Sequence, residues 1–484
     1  MNLRQNARAA GIYAGARFAS YGINLLVLPV LTRLLSPSDF GVIALAGLFP
    51  VVAVSVFTCG LGAAAQRYYF EYRQDGQKLA DFHITCQSLL FASLLISGLA
   101  VWPIQGLLAR GIMSDAAYGR ALYWAFIAGY MSQIVNFYTI QWQNMERPGL
   151  AAGVPFAQAA LTSILGLAFV WAGKLGYMGV IYGSLLSSAL VCFAAACHFN
   201  RGISGRFDLA ILKENAVYGL QIVPKSFSGF INRFFDKFML NNMLSLGAVG
   251  IYNIGQSLGN CMFVLMNTVW SAFQPSCYRE VFDNGPEGAR AAGRLFTIFA
   301  YFALLPVLGG ILFAQEVVMV IAPPPYHLAI DALVVILAGM AAQTFGMFCG
   351  LQFAYAKKAY WIFPLTVAGT LANVAANIIL IPRFGLLGAA ASYSMMLLVQ
   401  NAMAAGVGQR VCPIEYQWPR LLLMHGTVIL AAGFVVLCRK GESPWTTTYL
   451  GKIGFLAVYT AAGVHSRVIT RERIARLART WQRG

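Results

Sequence analysis

The chain has 484 residues, of which 59% are hydrophobic and only 11% are charged. Soluble proteins carry about 25% charged and roughly 45–50% apolar residues, so the composition excludes an ordinary soluble enzyme, a disordered chain and a disulfide-stapled secreted domain. The net charge of +17 would suggest nucleic-acid binding in a soluble protein, but here the cations lie in short stretches between apolar runs, as membrane orientation signals do. We therefore predict an all-α, polytopic membrane protein that binds no nucleic acid.

The apolar runs predict about fourteen transmembrane helices, since a spanning helix needs about 20 mostly apolar residues. The predicted spans are 11–32, 40–62, 83–103, 119–143, 149–172, 176–199, 216–240, 248–273, 295–314, 328–355, 360–381, 385–408, 420–438 and 448–465. An even number of spans places both termini on one side. Most Lys and Arg residues between spans fall on that side, so the positive-inside rule predicts that both termini are cytoplasmic.

The last residues, 467–484, form a basic tail that contains six Arg and one Glu. Ile474, Leu477 and Trp481 recur at helical spacing within it. This pattern fits a helix lying on an anionic membrane surface as well as it fits a solvated basic stop signal, and both interpretations stay open.

Several short matches share a sequence offset of 209 residues and indicate an internal duplication. The segment 35–41 parallels 244–250, the basic-x-Gly-x-x-Gly pattern at 174–179 recurs at 383–388, and Pro155 corresponds to Pro364. Six spans lie between corresponding elements, so the two copies are parallel repeats related by an axis along the membrane normal. The sequence therefore predicts two six-helix bundles followed by two extra helices.

This duplication gives the predicted domain organisation. An N-terminal six-helix bundle covers 1–213, a C-terminal six-helix bundle covers 214–412, helices 13 and 14 cover 413–466, and the basic cytoplasmic tail covers 467–484.

Span 7 carries charged side chains inside the bilayer, where a charge costs at least about 2.5–3.5 kcal/mol and is usually paired or functional. Lys225, Asn232 and Asp236 lie within a narrow arc of a helix, with Arg233 and Lys237 further round. Such a face requires a water-filled cavity or another polar helix. The alternative is a local network of Arg233, Asp236 and Lys237 at the membrane interface.

Span 1 offers a second polar face, which includes Arg17 and Asn24, and the 209-residue offset places Asn24 opposite Arg233. In a transporter built from two bundles, this level is the central cleft. We hypothesise that Arg17, Asn24 and the span 7 residues Lys225, Asn232 and Arg233 bind an anionic substrate, for which phosphate or pyrophosphate suits the Arg and Lys donors.

Other charged residues have distinct predicted roles. Asp236 is a charge partner for Arg233 or Lys237, or a coupling residue, and Arg67 and Arg147 lie at the inner mouth. No catalytic residues and no metal ligands are predicted, because the sequence lacks CxxC and Walker A motifs and its five His are far apart.

The segment Leu28–Gly41 closely resembles the first-hairpin signature of bacterial polysaccharide flippases, which act in the synthesis of O-antigen, capsule or exopolysaccharide. Gln66–Glu71 resembles the segment that follows in these flippases, at the inner end of span 2. These flippases belong to the multidrug/oligosaccharidyl-lipid/polysaccharide exporter superfamily. The resemblance implies a V-shaped cleft between the bundles and transport by alternating access. The implied substrate is an undecaprenyl-pyrophosphate oligosaccharide, which is moved across the bacterial inner membrane. The resemblance implies no cofactor and coupling to protons or sodium. Other polysaccharide assembly proteins would be partners. Helices 13 and 14 would form a groove for the polyprenyl tail.

Three competing functions differ in what they require. An ion-coupled drug or cation antiporter of the same superfamily usually needs acidic cavity residues, whereas the predicted cleft is net positive. A lipid II flippase shares the fold. A polytopic O-antigen polymerase, ligase or glycosyltransferase would place clustered His, Asp or Glu in a large outer loop, and no loop here combines them.

Overall fold

The computed structural model describes residues 3–441 and 445–466, so the basic tail lies outside the described residues. That part of the chain forms seventeen α-helices, three short 3₁₀ turns and no strand. The helices are α1 (Leu3–Leu34), α2 (Pro37–Ala46), α3 (Phe49–Phe57), α4 (Leu61–Tyr72), α5 (Gly76–Met113), α6 (Gly119–Asn144), α7 (Pro148–Trp171), α8 (Tyr177–Phe199), α9 (Leu209–Met243), α10 (Leu246–Leu312), α11 (Ala314–Ile321), α12 (Ala329–Met340), α13 (Gln343–Tyr355), α14 (Ile362–Phe384), α15 (Leu386–Val411), α16 (Trp418–Lys440) and α17 (Trp445–His465).

Every predicted span falls largely on helix, but spans 248–273 and 295–314 lie on one continuous helix, α10, and the break predicted between them is wrong. Span 40–62 is divided among α2, α3 and the start of α4. Ten helical segments of the described chain are long and apolar enough to cross a membrane: Gly11–Leu34, Pro37–Phe57, Gly76–Met113, Pro148–Trp171, Tyr177–Phe199, Gly288–Leu312, Pro324–Tyr355, Ala359–Phe384, Leu386–Val411 and Trp418–Lys440. The all-α, multi-pass membrane architecture is therefore confirmed. The remaining predicted spans lie in α6, α9, the first part of α10 and α17, which are helical but more polar.

Large apolar side chains are exposed along the candidate spans. Leu26 and Leu99 are each 76% exposed, and Phe193 and Leu437 are exposed to a similar degree. In water such surfaces would drive association, whereas lipid tails solvate them at no cost. These helix faces are accordingly suited to contact the hydrocarbon core of a bilayer.

The chain divides into two compact units. The first contains the described residues up to Asn253 together with Val320–Tyr326, and the second contains Ile254–Met319 and the described residues from His327 onward. The partition falls within α10. This partition groups α9 with the preceding helices. The sequence instead predicted a boundary at 213/214, where the two repeats meet, and that boundary stays a prediction.

Aromatic side chains form much of the core of the first unit. Phe82, Phe126, Tyr130, Tyr138 and Trp142 are almost completely buried in one apolar cluster that α3 to α9 share. Aromatic rings bury large apolar areas, and their hydroxyl groups are satisfied locally, as when the Tyr138 hydroxyl donates to Gln87 Oε1 at 2.9 Å. This cluster fixes the helices that carry most of the predicted site residues.

The second unit ties its two C-terminal helices down with ion pairs. Arg439 of α16 donates to Asp331 Oδ2 of α12 at 2.6 Å, and Lys452 of α17 donates to Glu316 Oε1 of α11. Arg439, Asp331 and Lys452 are largely buried, and Glu316 is about one-third exposed. Burial removes both charges of each pair from solvent, so each partner holds the other in place.

Corresponding positions of the duplication have the same local geometry. Gly176 and Gly385 begin α8 and α15 with φ of 55° and 56°, a left-handed conformation that favours glycine. One turn later, Gly179 and Gly388 each lie against the backbone of the preceding helix, where a side chain would clash. The two helical hairpins therefore pack alike within their own units, as a duplicated sequence requires.

Candidate functional site

Helix α9 carries most of the predicted binding residues. It starts at an Asp208 cap, whose Oδ1 accepts hydrogen bonds from the backbone N–H groups of Ala210 and Ile211 at 2.7 and 3.3 Å. It packs against α3, α4 and α5 of the first unit. Lys225 lies on this helix, on the same face as Asn232 by register, while its side chain lies outside the described part of the structure.

The acidic and basic groups near the end of α9 are buried and hydrogen-bonded. Asp236 is fully buried, and its Oδ2 accepts a hydrogen bond from the Tyr252 hydroxyl at 3.0 Å. Lys237 is 5% exposed and donates from Nζ to Asn253 Oδ1 at 2.7 Å. Both partners lie at the start of α10. Because buried charges persist only where polar groups satisfy them, these contacts stabilise the α9–α10 corner. The role of Asp236 as partner of Arg233 or Lys237, or in coupling, stays a prediction.

Asn232 and Arg233 present unused hydrogen-bonding capacity. Asn232 is half-buried, and its Oδ1 is inaccessible and has no hydrogen-bond partner among the described residues. Arg233 is exposed. A polar atom without a partner is costly in a folded protein and calls for a water or a ligand.

The predicted partners on α1 lie against a different helix. α1 packs along α7, and Asn24 Oδ1 accepts a hydrogen bond from Ser163 Oγ of α7 at 3.3 Å. Arg17 and Asn24 are both exposed. The structure thus places Arg17 and Asn24 on an accessible face of the first unit and ties Asn24 to α7.

Arg67 packs against two aromatic rings, at the contact of α4 with α9. Its guanidinium carbon is 4.5 Å from the centroid of the Tyr218 ring and 5.2 Å from that of Tyr68. The two rings meet edge to face, with centroids 5.8 Å apart. We call Arg67, Tyr68 and Tyr218 the Arg67 cradle. Arg147, the other residue predicted at the inner mouth, is exposed and immediately precedes α7.

The α4–α9 contact is antiparallel and close. Gly60 begins α4 with φ of 67° and lies against Gly219 of α9, so that a side chain on either residue would overlap the other backbone. At the other end of α4, the Tyr72 hydroxyl donates to Glu214 Oε2 at 2.6 Å. Burial, together with this hydrogen bond, raises the pKa of Tyr72 above its usual range, so Tyr72 keeps its proton and remains a donor.

The first turns of α2 and α10, which correspond in the duplication, contact one another reciprocally where the loops before them end. A side chain on Gly41 would overlap the carbonyl oxygen of Leu246, and one on Gly250 would overlap the carbonyl oxygen of Pro37. Pro37 and Leu246 are 209 residues apart, as are Gly41 and Gly250. We call these four residues the reciprocal loop contact. The N-caps of the two helices also correspond. Ser36 Oγ accepts a hydrogen bond from the backbone N–H of Asp39, and Ser245 Oγ accepts one from the backbone N–H of Ala248, both at 3.2 Å.

The segment around Tyr326 covers one side of the reciprocal loop contact. The Tyr326 hydroxyl donates to the carbonyl oxygen of Leu35 at 2.7 Å, and its ring meets that of Phe40 edge to face, with centroids 5.7 Å apart. Thr32 Oγ1 donates to the carbonyl oxygen of Ile321 at 2.7 Å. All these groups belong to the first unit.

Sequence reasoning missed the residues that hold the charged groups. Tyr252 and Asn253 gave no signal, because they lie in a predicted apolar span and their partners depend on how α9 meets α10. The only sequence signal for Tyr218 was its position seven residues before Lys225, which places both residues on one helix face. In the described part of the chain, no group of His, Cys, Asp or Glu residues could hold a metal ion.

Comparisons with known proteins now define the class. Residues 7–277 match the family model described as polysaccharide biosynthesis protein, which is more than half of the chain. The chain therefore belongs to this family of polysaccharide biosynthesis proteins. No curated protein sequence matches it significantly.

Solved structures of membrane transporters share the fold. The lipid II flippase MurJ, in an inward closed conformation, has a TM-score of 0.73 at 13% identity and covers 94% of this chain and 98% of its own. An inward-facing multidrug resistance MATE family transporter of the MOP superfamily has a TM-score of 0.67 at 17% identity, covering 81% and 93%. A MOP superfamily transporter from Pyrococcus furiosus has a TM-score of 0.51 at 16% identity, covering 87% and 96%. At these identities the similarity shows a shared fold, and the similar structures are of transporters and a flippase.

Proposed function

We propose that this protein translocates a polyprenyl-pyrophosphate-linked oligosaccharide repeat unit from the cytoplasmic to the periplasmic leaflet of the bacterial inner membrane by alternating access. The observation that carries the proposal is the cationic and polar face of α9 in a chain of the polysaccharide biosynthesis family. The similarity to a lipid II flippase supports a lipid-linked substrate. Other polysaccharide assembly proteins are the proposed partners, and both termini are proposed to be cytoplasmic.

The chemistry of the proposed substrate matches the available donors. A pyrophosphate presents several anionic oxygens, which Arg binds with two parallel hydrogen bonds and Lys binds as a point charge. Arg17 and Arg233 are exposed, and neither forms an ion pair within the described residues. In the proposed site, Arg17, Asn24, Lys225, Asn232 and Arg233 bind the pyrophosphate or acidic sugars.

Export of cationic drugs is the second candidate, because a multidrug resistance transporter shares the fold. A cavity that binds cations needs accessible acidic groups. On α9 the only acid past its first turns is Asp236, which is fully buried and hydrogen-bonded to Tyr252. The balance of charge therefore favours an anionic substrate.

Translocation in proteoliposomes tests the proposal. A short-chain polyprenyl-pyrophosphate oligosaccharide is incorporated with the protein, and an external lectin reports the fraction that becomes accessible. We expect the wild type to translocate and Arg17→Ala and Arg233→Ala each to lose at least about tenfold in rate, since a charged hydrogen bond contributes about 1.5–3 kcal/mol. Arg110→Ala, at another exposed Arg of the first unit, is the matched control and should retain the wild-type rate.

The outcomes separate the candidates. A wild type that moves no lipid-linked oligosaccharide but exports cationic drugs would refute the proposal in favour of the antiporter. Equal rates in all variants would remove Arg17 and Arg233 from the site. If either variant disappears from the membrane, its charge supports the fold and not the substrate. Imposed proton and sodium gradients in the same vesicles identify the coupling ion, for which proton and sodium are the two proposals.

A further inference from the structure

The guanidinium of Arg67 packs against two tyrosine rings. Tyr218 of α9 and Tyr68 of α4 cover it at 4.5 and 5.2 Å, the distances of cation–π contacts. None of the ion pairs between described residues includes Arg67, and its side chain is exposed. Its planar array of N–H donors thus remains available to an anion.

One ring of the Arg67 cradle, that of Tyr68, is itself held in place. Tyr68 stacks on Tyr72 with ring centroids 5.6 Å apart, and the Tyr72 hydroxyl is hydrogen-bonded to Glu214 of α9. Tyr68 is 5% exposed and Tyr72 is 2% exposed, so neither ring is free to turn away. An Arg that packs against a fixed ring loses less conformational entropy on binding a ligand than one that moves freely.

The cradle stands at the start of the polar face of α9. Tyr218, Lys225 and Asn232 are spaced by seven residues, so they share one helix face and follow one another at intervals of about 10 Å along the axis. A ligand that leaves the cradle along this face meets Lys225 next, by register, and then the half-buried Asn232.

We propose that the Arg67 cradle is the first binding site of the diphosphate of the lipid-linked substrate, on the side from which the substrate enters. This inference rests on the proposed function. Arg67 binds two phosphate oxygens with its exposed guanidinium N–H groups, and Tyr218 positions it at the beginning of the α9 polar face. The diphosphate is therefore captured before it reaches Lys225 and Arg233.

Arg73, the residue that follows the last residue of α4, provides a matched control. Its guanidinium lies 5.3 Å from the ring of Phe70, so it too is an exposed Arg over an aromatic face. Phe70 belongs to α4, however, and is 49% exposed. Arg73→Ala therefore removes an equal charge from the same surface without touching the α4–α9 contact.

Binding of geranylgeranyl diphosphate to the full-length protein in nanodiscs of zwitterionic lipid tests the inference. We expect Arg67→Ala to raise the Kd about tenfold or more, as for the loss of a charge-assisted hydrogen-bond pair. Arg67→Lys should raise the Kd at least about threefold, because a Lys lacks the planar fork. Tyr218→Phe should bind like the wild type, Tyr218→Leu should bind more weakly, and Arg73→Ala should stay within about twofold.

Several results would overturn the assignment. If Arg67→Ala binds the diphosphate as tightly as the wild type, the Arg67 cradle is not a binding site. If Arg73→Ala loses as much affinity as Arg67→Ala, the effect is one of surface charge alone. If the Arg67 dependence vanishes in nanodiscs of phosphatidylglycerol, the cradle is a site for ordinary anionic lipid headgroups. The proposed function is judged separately by wild-type translocation: translocation with no Arg67 dependence of binding refutes only the cradle, whereas absent translocation refutes the proposed function itself.

Discussion

Asn232 is a polar residue that the fold does not use. Its Oδ1 has no hydrogen-bond partner among the described residues although it is inaccessible, and a buried acceptor without a partner costs about 1–3 kcal/mol. Residues that weaken a fold in this way are kept when they serve a ligand. Asn232 lies on the α9 polar face, where the proposed pyrophosphate would supply no donor but a bound water or a sugar hydroxyl would.

Replacing Asn232 should therefore separate stability from transport. We expect Asn232→Leu to raise the Tm of the purified protein slightly, because it removes the unsatisfied acceptor, and to lower translocation several-fold. Thermal unfolding in detergent and the proteoliposome assay measure the two effects. A variant with lower Tm and unchanged transport would show that Asn232 supports packing and not the substrate.

Glu316 is a second residue whose environment makes a measurable prediction. Burial raises the pKa of its carboxyl, but the hydrogen bond and charge of Lys452, together with hydrogen bonds from the backbone and from Tyr449, outweigh burial and lower the pKa of Glu316 below its usual value of 4.5. A carboxyl whose pKa is lower in the folded state stabilises the fold above its unfolded pKa, and this contribution is lost as the pH falls through the folded value.

Glu316→Gln should accordingly lower the Tm at pH 7, and the difference from the wild type should shrink as the pH falls below about 4.5. Glu415→Gln is the control, because Glu415 and its partner Arg290 are 60% and 73% exposed and exposed pairs contribute little. Unfolding of both variants across pH 3–7 measures the contrast. A Glu316→Gln difference that stays constant with pH would contradict the ion pair as its cause.

At the scale of helices, α9 depends on a close crossing with α4. A methyl group on Gly219 would overlap the carbonyl oxygen of Cys59, which belongs to backbone and cannot swing aside. Gly229, on the same helix, has open space where a methyl group would lie. We expect Gly219→Ala to destabilise the protein by about 1–3 kcal/mol, and Gly229→Ala to be neutral or to stabilise it by up to about 1 kcal/mol.

Denaturation of the two glycine variants in the same detergent measures this difference. If Gly219→Ala is as stable as Gly229→Ala, the two helices are not held in close contact there. Transport adds a second readout, since separation of α4 from α9 would also move Tyr218 away from Arg67.

The sequence was sufficient for the helices but not for their partners. Apolar runs of about 20 residues identify spans because the bilayer imposes that length, but they did not show that spans 248–273 and 295–314 belong to one continuous helix. The break of predicted span 2 into α2, α3 and the start of α4 was not foreseen, although Gly47 and Gly60 mark it. Contacts such as Tyr72 with Glu214 join residues 142 positions apart, and their register is decided by tertiary packing.

The same limit applies to the candidate site. Helical periodicity placed Lys225, Asn232 and Asp236 on one face, because the period of a helix is fixed by its geometry. Periodicity gives no information about a neighbouring helix. Arg67 was therefore predicted at the inner mouth, but its contact with the Tyr218 ring was not. The hydrogen bonds of Asp236 to Tyr252 and of Lys237 to Asn253 likewise required the three-dimensional arrangement.

For the whole molecule, the reciprocal loop contact predicts where a cross-link would stop the transport cycle. An added side chain on Gly247 would lie 3.5 Å from Ser38 Oγ, a separation that suits a disulfide. We expect a chain with Ser38→Cys and Gly247→Cys to form this disulfide on oxidation, to lose translocation, and to recover it with reductant. The two single substitutions control for reaction with the nine native cysteines.

If the cross-linked chain still translocates the lipid, the reciprocal loop contact stays closed throughout the cycle and access must alternate elsewhere. If the disulfide forms only in the presence of substrate, the contact is open in the resting protein.

Pairs of contacts in which Gly41 meets Leu246 and Gly250 meets Pro37 are those that two identical subunits make across a two-fold axis. The reciprocal loop contact thus keeps the form of an isologous dimer interface inside a single polypeptide. In a true homodimer one substitution alters both contacts at once. Here the two contacts involve separate positions of one chain, so a substitution of Leu246 alters its contact with Gly41 and leaves the contact of Gly250 with Pro37 unchanged.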